Sequence, residues 1–117
     1  MSMITIIIQN APYHDDNKAW HALRFAGAAL TEDMSVHIHL LDEGVKVGMR
    51  GHQVAEGKIN LEELLAELIE CGLEVRACGM AVDELGISEE ALIKGIEKGS
   101  MKALAHWVKS SDHVMTF

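Results

Sequence analysis

The chain has 117 residues, 49% of them hydrophobic, and a formal net charge of −8. That length fits a single domain spanning 1–117, with a core that closes without disulfide or metal staples. The acidic balance argues against nucleic acid as a direct partner, because phosphate binding needs concentrated Lys and Arg, and the small group of Lys46, Arg50, His52 and Lys58 reads as solvated loop charge.

Met3-Ile-Thr-Ile-Ile-Ile8 is β-branched and almost wholly apolar, the pattern of a strand covered on both faces. Pro12 breaks the run, and Asp15 and Asp16 then suit the N-terminus of a helix. Ala19, Leu23, Ala26, Gly27 and Leu30 continue at helical spacing. Residues 35–41 alternate, with Val36, Ile38 and Leu40 on one face and His37 and His39 on the other. Four glycines between Asp42 and Lys58 predict a short, partly irregular, mobile segment.

Asn60-Leu-Glu-Glu63 has the form of a capping box, and Leu61, Leu64, Leu65, Leu68 and Ile69 make the cleanest apolar stripe in the chain. Gly72 stands where a left-handed C-terminal residue belongs. A strand over 73–77 then leads to Cys78, with a helical turn over 80–85 closed by Gly86. Ser88, Glu89 and Glu90 open a further short helix, and 95–99 reads as a brief strand. Ser100 caps a last helix whose Met101, Leu104, Ala105 and Val108 are expected to point inward, before a final strand over 113–117. The alternation of strand and helix predicts an α/β fold: a three-layer α/β/α sandwich on a mostly parallel sheet of about five strands.

No run is as long as the about 20 apolar residues a bilayer helix needs. The first strand also lacks the basic flank and cleavage site of a secretory signal. The two cysteines, Cys71 and Cys78, form neither a CxxC nor a zinc-finger spacing. Together these features predict a cytoplasmic protein with reduced thiols, no membrane partner and no metal or other cofactor. His37 and His39 share a strand face, but no third ligand can be named, so they read as polar strand positions or an oligomer surface. No glycine-rich phosphate loop and no GxSxG is present, which sets aside nucleotide-binding and serine-hydrolase readings.

In parallel sheets, reactive groups collect beyond the carboxyl ends of the strands. Three segments arrive there, and only the one at Cys78 brings a nucleophile. A helix starting at Gly79 would turn backbone N–H groups towards the sulfur and favour its thiolate, and Gly79 would leave room for an approaching partner. His14, His52 and Arg50 lie on loops predicted at the same end and could form the surroundings of a thiolate or persulfide. A buried, inert Cys78 is the competing reading, and Cys71 reads as structural.

Tyr13 to Leu30, with Lys18-Ala-Trp-His-Ala-Leu-Arg24, resembles the first helix of DsrE/DsrF-like (DsrE/TusD-type sulfur relay) proteins. His39-Leu-Leu-Asp-Glu-Gly-Val45 resembles that family's second strand and turn. Leu73-Glu-Val-Arg-Ala-Cys-Gly79, followed by Gly86-Ile87, resembles its third strand, cysteine loop and closing glycine. The resemblance covers essentially the whole chain. It implies a sulfur carrier or sulfurtransferase subunit that takes a sulfane sulfur on Cys78 as a persulfide and exchanges it with donor and acceptor proteins. It also implies a homo-oligomer, trimeric or hexameric, for which Trp20, Trp107 and the methionines are candidate adhesive surface. The chain departs from some relatives in having Ala81 where a second cysteine can stand, and Leu85 where an arginine often precedes the closing glycine. Asp83 and Glu84 would oppose a thiolate. A non-catalytic oligomeric binding module on the same fold is the alternative.

Overall fold

A computed structural model describes residues 2–13 and 17–117. Five strands form one sheet: β1 (Met3–Ile8), β2 (Ser35–Leu40), β3 (Glu74–Cys78), β4 (Glu97–Gly99) and β5 (His113–Thr116). Their spatial order is β4-β3-β2-β1-β5, and every pairing is parallel. The helices are α1 (Lys18–Thr31), α2 (Leu61–Glu70), α3 (Gly79–Glu84) and α4 (Met101–Ser110). Steps β1 to β4 all move in one direction across the sheet, whereas β4 to β5 jumps back past three strands. Right-handed crossovers therefore place α1 and α2 on one face and send α4 alone to the other. The result is the predicted α/β sandwich.

The α1/α2 face holds the aliphatic core. Ile4, Ile6, Ile8, Val36, Ile38, Leu40, Val75 and Ala77 alternate inward from β1, β2 and β3, and Leu23, Ala26, Leu65 and Leu68 meet them from the helices. Gly27 lets α2 approach α1: a Cβ there would stand 3.4 Å from Leu68 Cδ2. Asn60 caps α2 as expected, its side-chain oxygen accepting from the Glu63 N–H at 3.1 Å, and Gly72 adopts φ +107° just beyond. Ser100 caps α4 in the same way through the Ala103 N–H at 3.1 Å.

Two expectations need correction. Asp42–Gly48 is a 3₁₀ helix, with Gly44, Val45, Val47 and Gly48 buried against the sheet, so this half of the glycine-bearing stretch is regular and packed. Its glycines allow close approach; they do not mark a loop. On α4, Leu104 and Trp107 are the buried residues, while Met101, Ala105 and Val108 are exposed. A lone helix crossing a sheet face touches it along a narrow line, and the bulky Trp107 sets which line that is. The acidic pair Asp15 and Asp16, expected at the start of α1, lies outside the described residues. No helix among the described residues is long and apolar enough to cross a membrane.

Candidate functional site

Strand β3 ends at Cys78, directly opposite Gly99 of β4, and α3 begins at the next residue. A Cβ at Gly79 would lie 3.0 Å from the Gly99 carbonyl oxygen and 3.5 Å from Lys98 Cε. The glycine is thus required by the neighbouring backbone, which the turn from strand to helix must pass closely. Close strand packing is therefore a sufficient reason for the glycine, apart from any access to the sulfur.

Beyond Cys78 lies a cavity of about 730 Å³, lined by Arg76, Cys78, Gly79, Asp83, Lys98 and Gly99, with Met80 and Met101 also on its wall. Met80 is 72% exposed and Met101 56%, whereas Cys78 is only 6% exposed. The sulfur-bearing residue therefore sits at the back of an open cleft whose exposed wall carries both methionines and the charged Asp83, Glu97 and Lys98. Asp83, expected to oppose a thiolate, is held by Lys98: Nζ to Oδ1 is 2.9 Å, and this hydrogen bond raises the lysine pKa. Both partners face solvent, so the pair neutralises local charge without adding much stability.

Side chains on β3 alternate, so Glu74, Arg76 and Cys78 share one sheet face. His37 aligns with Glu74 and His39 with Arg76, which puts both histidines on that same face. The two are polar strand positions, as one of the two readings has it, but the other reading, an oligomer surface, fails. His37 is 9% exposed, under Trp107 of α4, and His39 is fully buried with Arg76 and Gly99 near it. The ring of Trp107 lies 4.5 Å from that of His37, and the Arg76 guanidinium stacks on the same indole at 4.4 Å. His37 Nε2 stands 3.4 Å from a Glu74 carboxylate oxygen. Neither nitrogen of His39 has a hydrogen-bond partner among the described residues. An unsatisfied buried polar group of this kind costs about 1–3 kcal/mol. The layer was hidden in the sequence because nothing marks which helix covers a strand face; the shared parity of Arg76 and Cys78 was the available signal.

Burial lowers the pKa of His39 below its ordinary 6.5, and the nearby Arg76 lowers it further. Burial also lowers that of His37, against a partial upward pull from Glu74. The unfolded chain therefore binds more protons than the folded one as pH falls through 6.5, so stability is full above that value and declines below it. Urea midpoints are expected to fall between about pH 7.5 and about pH 5.5, and less steeply in His39→Leu. An equal fall in both proteins would place the effect elsewhere.

The other candidate residues lie apart from the cleft. Tyr13 Oη accepts from the Leu61 N–H at 2.9 Å and sits 2.7 Å from His52 Nδ1, while His52 Nε2 is 3.2 Å from the Lys46 carbonyl oxygen. The His52 backbone N–H donates to Glu62 at 2.9 Å. His52 thus ties the 51–60 loop to α2 and to Tyr13, whose pKa burial raises. Tyr13 also lines a second cavity of about 580 Å³ with Trp20, Ile59 and Leu61. Arg50 is exposed, its Nε–H donating to the Leu92 carbonyl at 2.9 Å. Neither His52 nor Arg50 lines the Cys78 cleft. His14 lies outside the described residues. Cys71 is exposed at the C-terminal end of α2. Among the described residues, no three His, Cys, Asp or Glu side chains gather as a metal site.

A five-stranded parallel sheet with one helix on its reverse face, and a cysteine at the carboxyl end of β3 beside a short outer strand, defines a class of small α/β protein. The model of the DsrE/DsrF-like family matches residues 3–117, and the chain belongs to that family. It is 44% identical over 117 residues to an uncharacterized protein of Methanopyrus kandleri, covering 100% of this chain and 95% of that one. It is 33% identical to the protein YchN of Escherichia coli, with both chains covered completely. The crystal structure of that YchN superposes with a TM-score of 0.91 over 100% of each chain. A Methanobacterium thermoautotrophicum protein of unknown function, MTH1491, shares the fold at TM-score 0.80 and 12% identity, over 98% of this chain and 99% of its own.

Proposed function

We propose that the protein is a sulfur carrier that holds a sulfane sulfur on Cys78 as a persulfide and hands it to a partner protein. In the loading step the Cys78 thiolate attacks the outer sulfur of a donor persulfide. A new S–S bond forms at Cys78, the donor's S–S bond breaks, and the donor leaves as a thiolate that takes up the proton Cys78 gave. In the unloading step an acceptor thiolate attacks the same outer sulfur and Cys78 leaves as the thiolate. Sulfur atoms and electrons balance within each exchange, so no dissociable cofactor is consumed. The observation that carries this reading is the placement of Cys78 at the back of an open cleft that Arg76 and Lys98 also line. Gly79 beside it and Arg76 on its wall suit an anionic sulfur that must be reached by another, while Lys98 offsets Asp83 and Glu97 stands unfavourably on the same wall.

The test is incubation of the full chain with a cysteine desulfurase and cysteine, followed by intact mass. The wild type and Cys71→Ser are expected to gain one sulfur, and Cys78→Ser at least about tenfold less. Wild type without gain, or Cys78→Ser loading equally, overturns the proposal.

The 6% exposure of Cys78 favours a second reading, a non-catalytic binding module with an inert thiol. Iodoacetamide separates the two near neutral pH: a carrier is alkylated at Cys78, a packed thiol is not. Donor and acceptor proteins and a homo-oligomer, trimer or hexamer, complete the carrier reading, with the reducing cytoplasm as its compartment. Exposed Met80, Met101, Val108 and Val114 support self-association, whereas Trp107 does not, being buried. Light scattering on eluted protein would show a strict monomer if the assembly is wrong.

A further inference from the structure

We propose that His39 is a sulfur-binding residue, its imidazole N–H donating a hydrogen bond to the ionised sulfur of Cys78 or to the outer sulfur of its persulfide. This rests on the carrier reading and adds a residue to it. His39 is fully buried, yet both ring nitrogens lack a partner among the described residues. Buried polar groups in native proteins are nearly always paired, and an exception calls for a reason, of which a functional role is one.

The ring lies behind the wall of the cleft without lining it, and no sulfur among the described residues stands within hydrogen-bonding distance of it at rest, so Cys78 must turn towards it when ionised or loaded. His39 stands on β2, but its Cε1 lies 3.4 Å from where a Cβ of Gly99 would be, two strands away on β4. Gly99 lines the cleft and is the register partner of Cys78. The imidazole therefore reaches across β3 towards the Cys78–Gly99 pair, on the face that Cys78 shares. Any side chain at Gly99 would crowd the ring and would also meet Arg76 Cβ at 3.0 Å.

The groups around it fix its state. Arg76 aligns with His39 and stacks on Trp107, and His37 and Glu74 lie one step back along the strands. Burial and Arg76 both hold His39 neutral, which leaves one N–H donor and one acceptor. A neutral donor stabilises an anionic sulfur without carrying a second positive charge into the layer.

The experiment measures alkylation of Cys78 by iodoacetamide against pH, in the full chain with Cys71→Ser as the parent. His39→Phe fills the ring's volume without a donor, and is expected to slow alkylation about tenfold at neutral pH and to move the profile to higher pH. His39→Gln restores an N–H donor and is expected to recover part of the rate. His39→Leu replaces the Phe variant should that one not fold. Equal rates and profiles in the parent and the donor-less variant overturn the role of His39, and the carrier reading then stands if Cys78 still loads sulfur. A parent that neither alkylates nor loads removes both.

Discussion

Gly44→Ala is expected to destabilise the fold by about 3 kcal/mol or more. Gly44 sits inside the 3₁₀ helix that follows β2, and a Cβ there would stand on the carbonyl group of Ile8, in contact with its oxygen and carbon and 3.2 Å from Gln9 N. These are backbone atoms, so no rotamer change can yield. The Ile8 carbonyl also accepts from the Leu41 N–H at 2.8 Å, and the Gly44 N–H donates to Leu41 at 2.9 Å. Moving any one of these groups breaks the join between the ends of β1 and β2. Urea denaturation followed by circular dichroism would measure the loss, and a midpoint within error of wild type would refute the packing described for this turn.

Trp107→Ala is expected to cost about 3–5 kcal/mol, the range for removing a buried aromatic ring. Trp107 is 5% exposed and, with Leu104, supplies the buried contact of α4. Its ring covers His37 and receives the Arg76 guanidinium. Its backbone carbonyl accepts from Ser111 Oγ at 2.8 Å, and that hydroxyl is 2.7 Å from Thr5 Oγ1 of β1. The alanine variant keeps this anchor but loses the lid. His37 then meets water, its main reason for staying neutral disappears, and the acid sensitivity of the fold should weaken alongside its overall stability. Trp107→Phe should retain most of the stability. Denaturation of the three proteins at two pH values checks both parts, and a Trp107→Ala protein as stable as wild type would show that α4 holds the sheet some other way.

Much of the fold was legible because local signals agreed with one another. The apolar run at Met3–Ile8 became β1 residue for residue, and Asn60 and Ser100 each cap the helix they precede. The end of β3 at Cys78 followed from a strand pattern broken by a glycine. The 3₁₀ helix was not legible, since Gly44 and Gly48 look like loop residues until the atoms that crowd them are known. A Cβ at Gly48 would lie 2.7 Å from Leu40 Cδ1 and 2.9 Å from Ile96 Cδ1, the second a contact with a segment far along the chain. The histidine layer escaped for a related reason. His37 and His39 alternate with Val36, Ile38 and Leu40 in the manner of a half-exposed strand, and only the reversed last crossover brings Trp107 over His37. His52 and Arg50 were grouped with Cys78 by strand-end logic alone. Three strand ends give a broad rim, and these two side chains are spent on local hydrogen bonds away from the cleft.

The return of β5 to the side of β1 also governs how the molecule assembles. Met3 and Asp112 are tied by backbone and side-chain hydrogen bonds across a sequence separation of 109, and Phe117 pairs with both Ile7 and Gln9. Closing so long a loop is slow relative to zipping neighbouring strands, so β1, β2 and β3 are placed to nucleate and β5 to dock last. Until it does, one flank of an isoleucine-rich strand stands open, and a chain arrested at that stage has a ready template for wrong pairing with its copies.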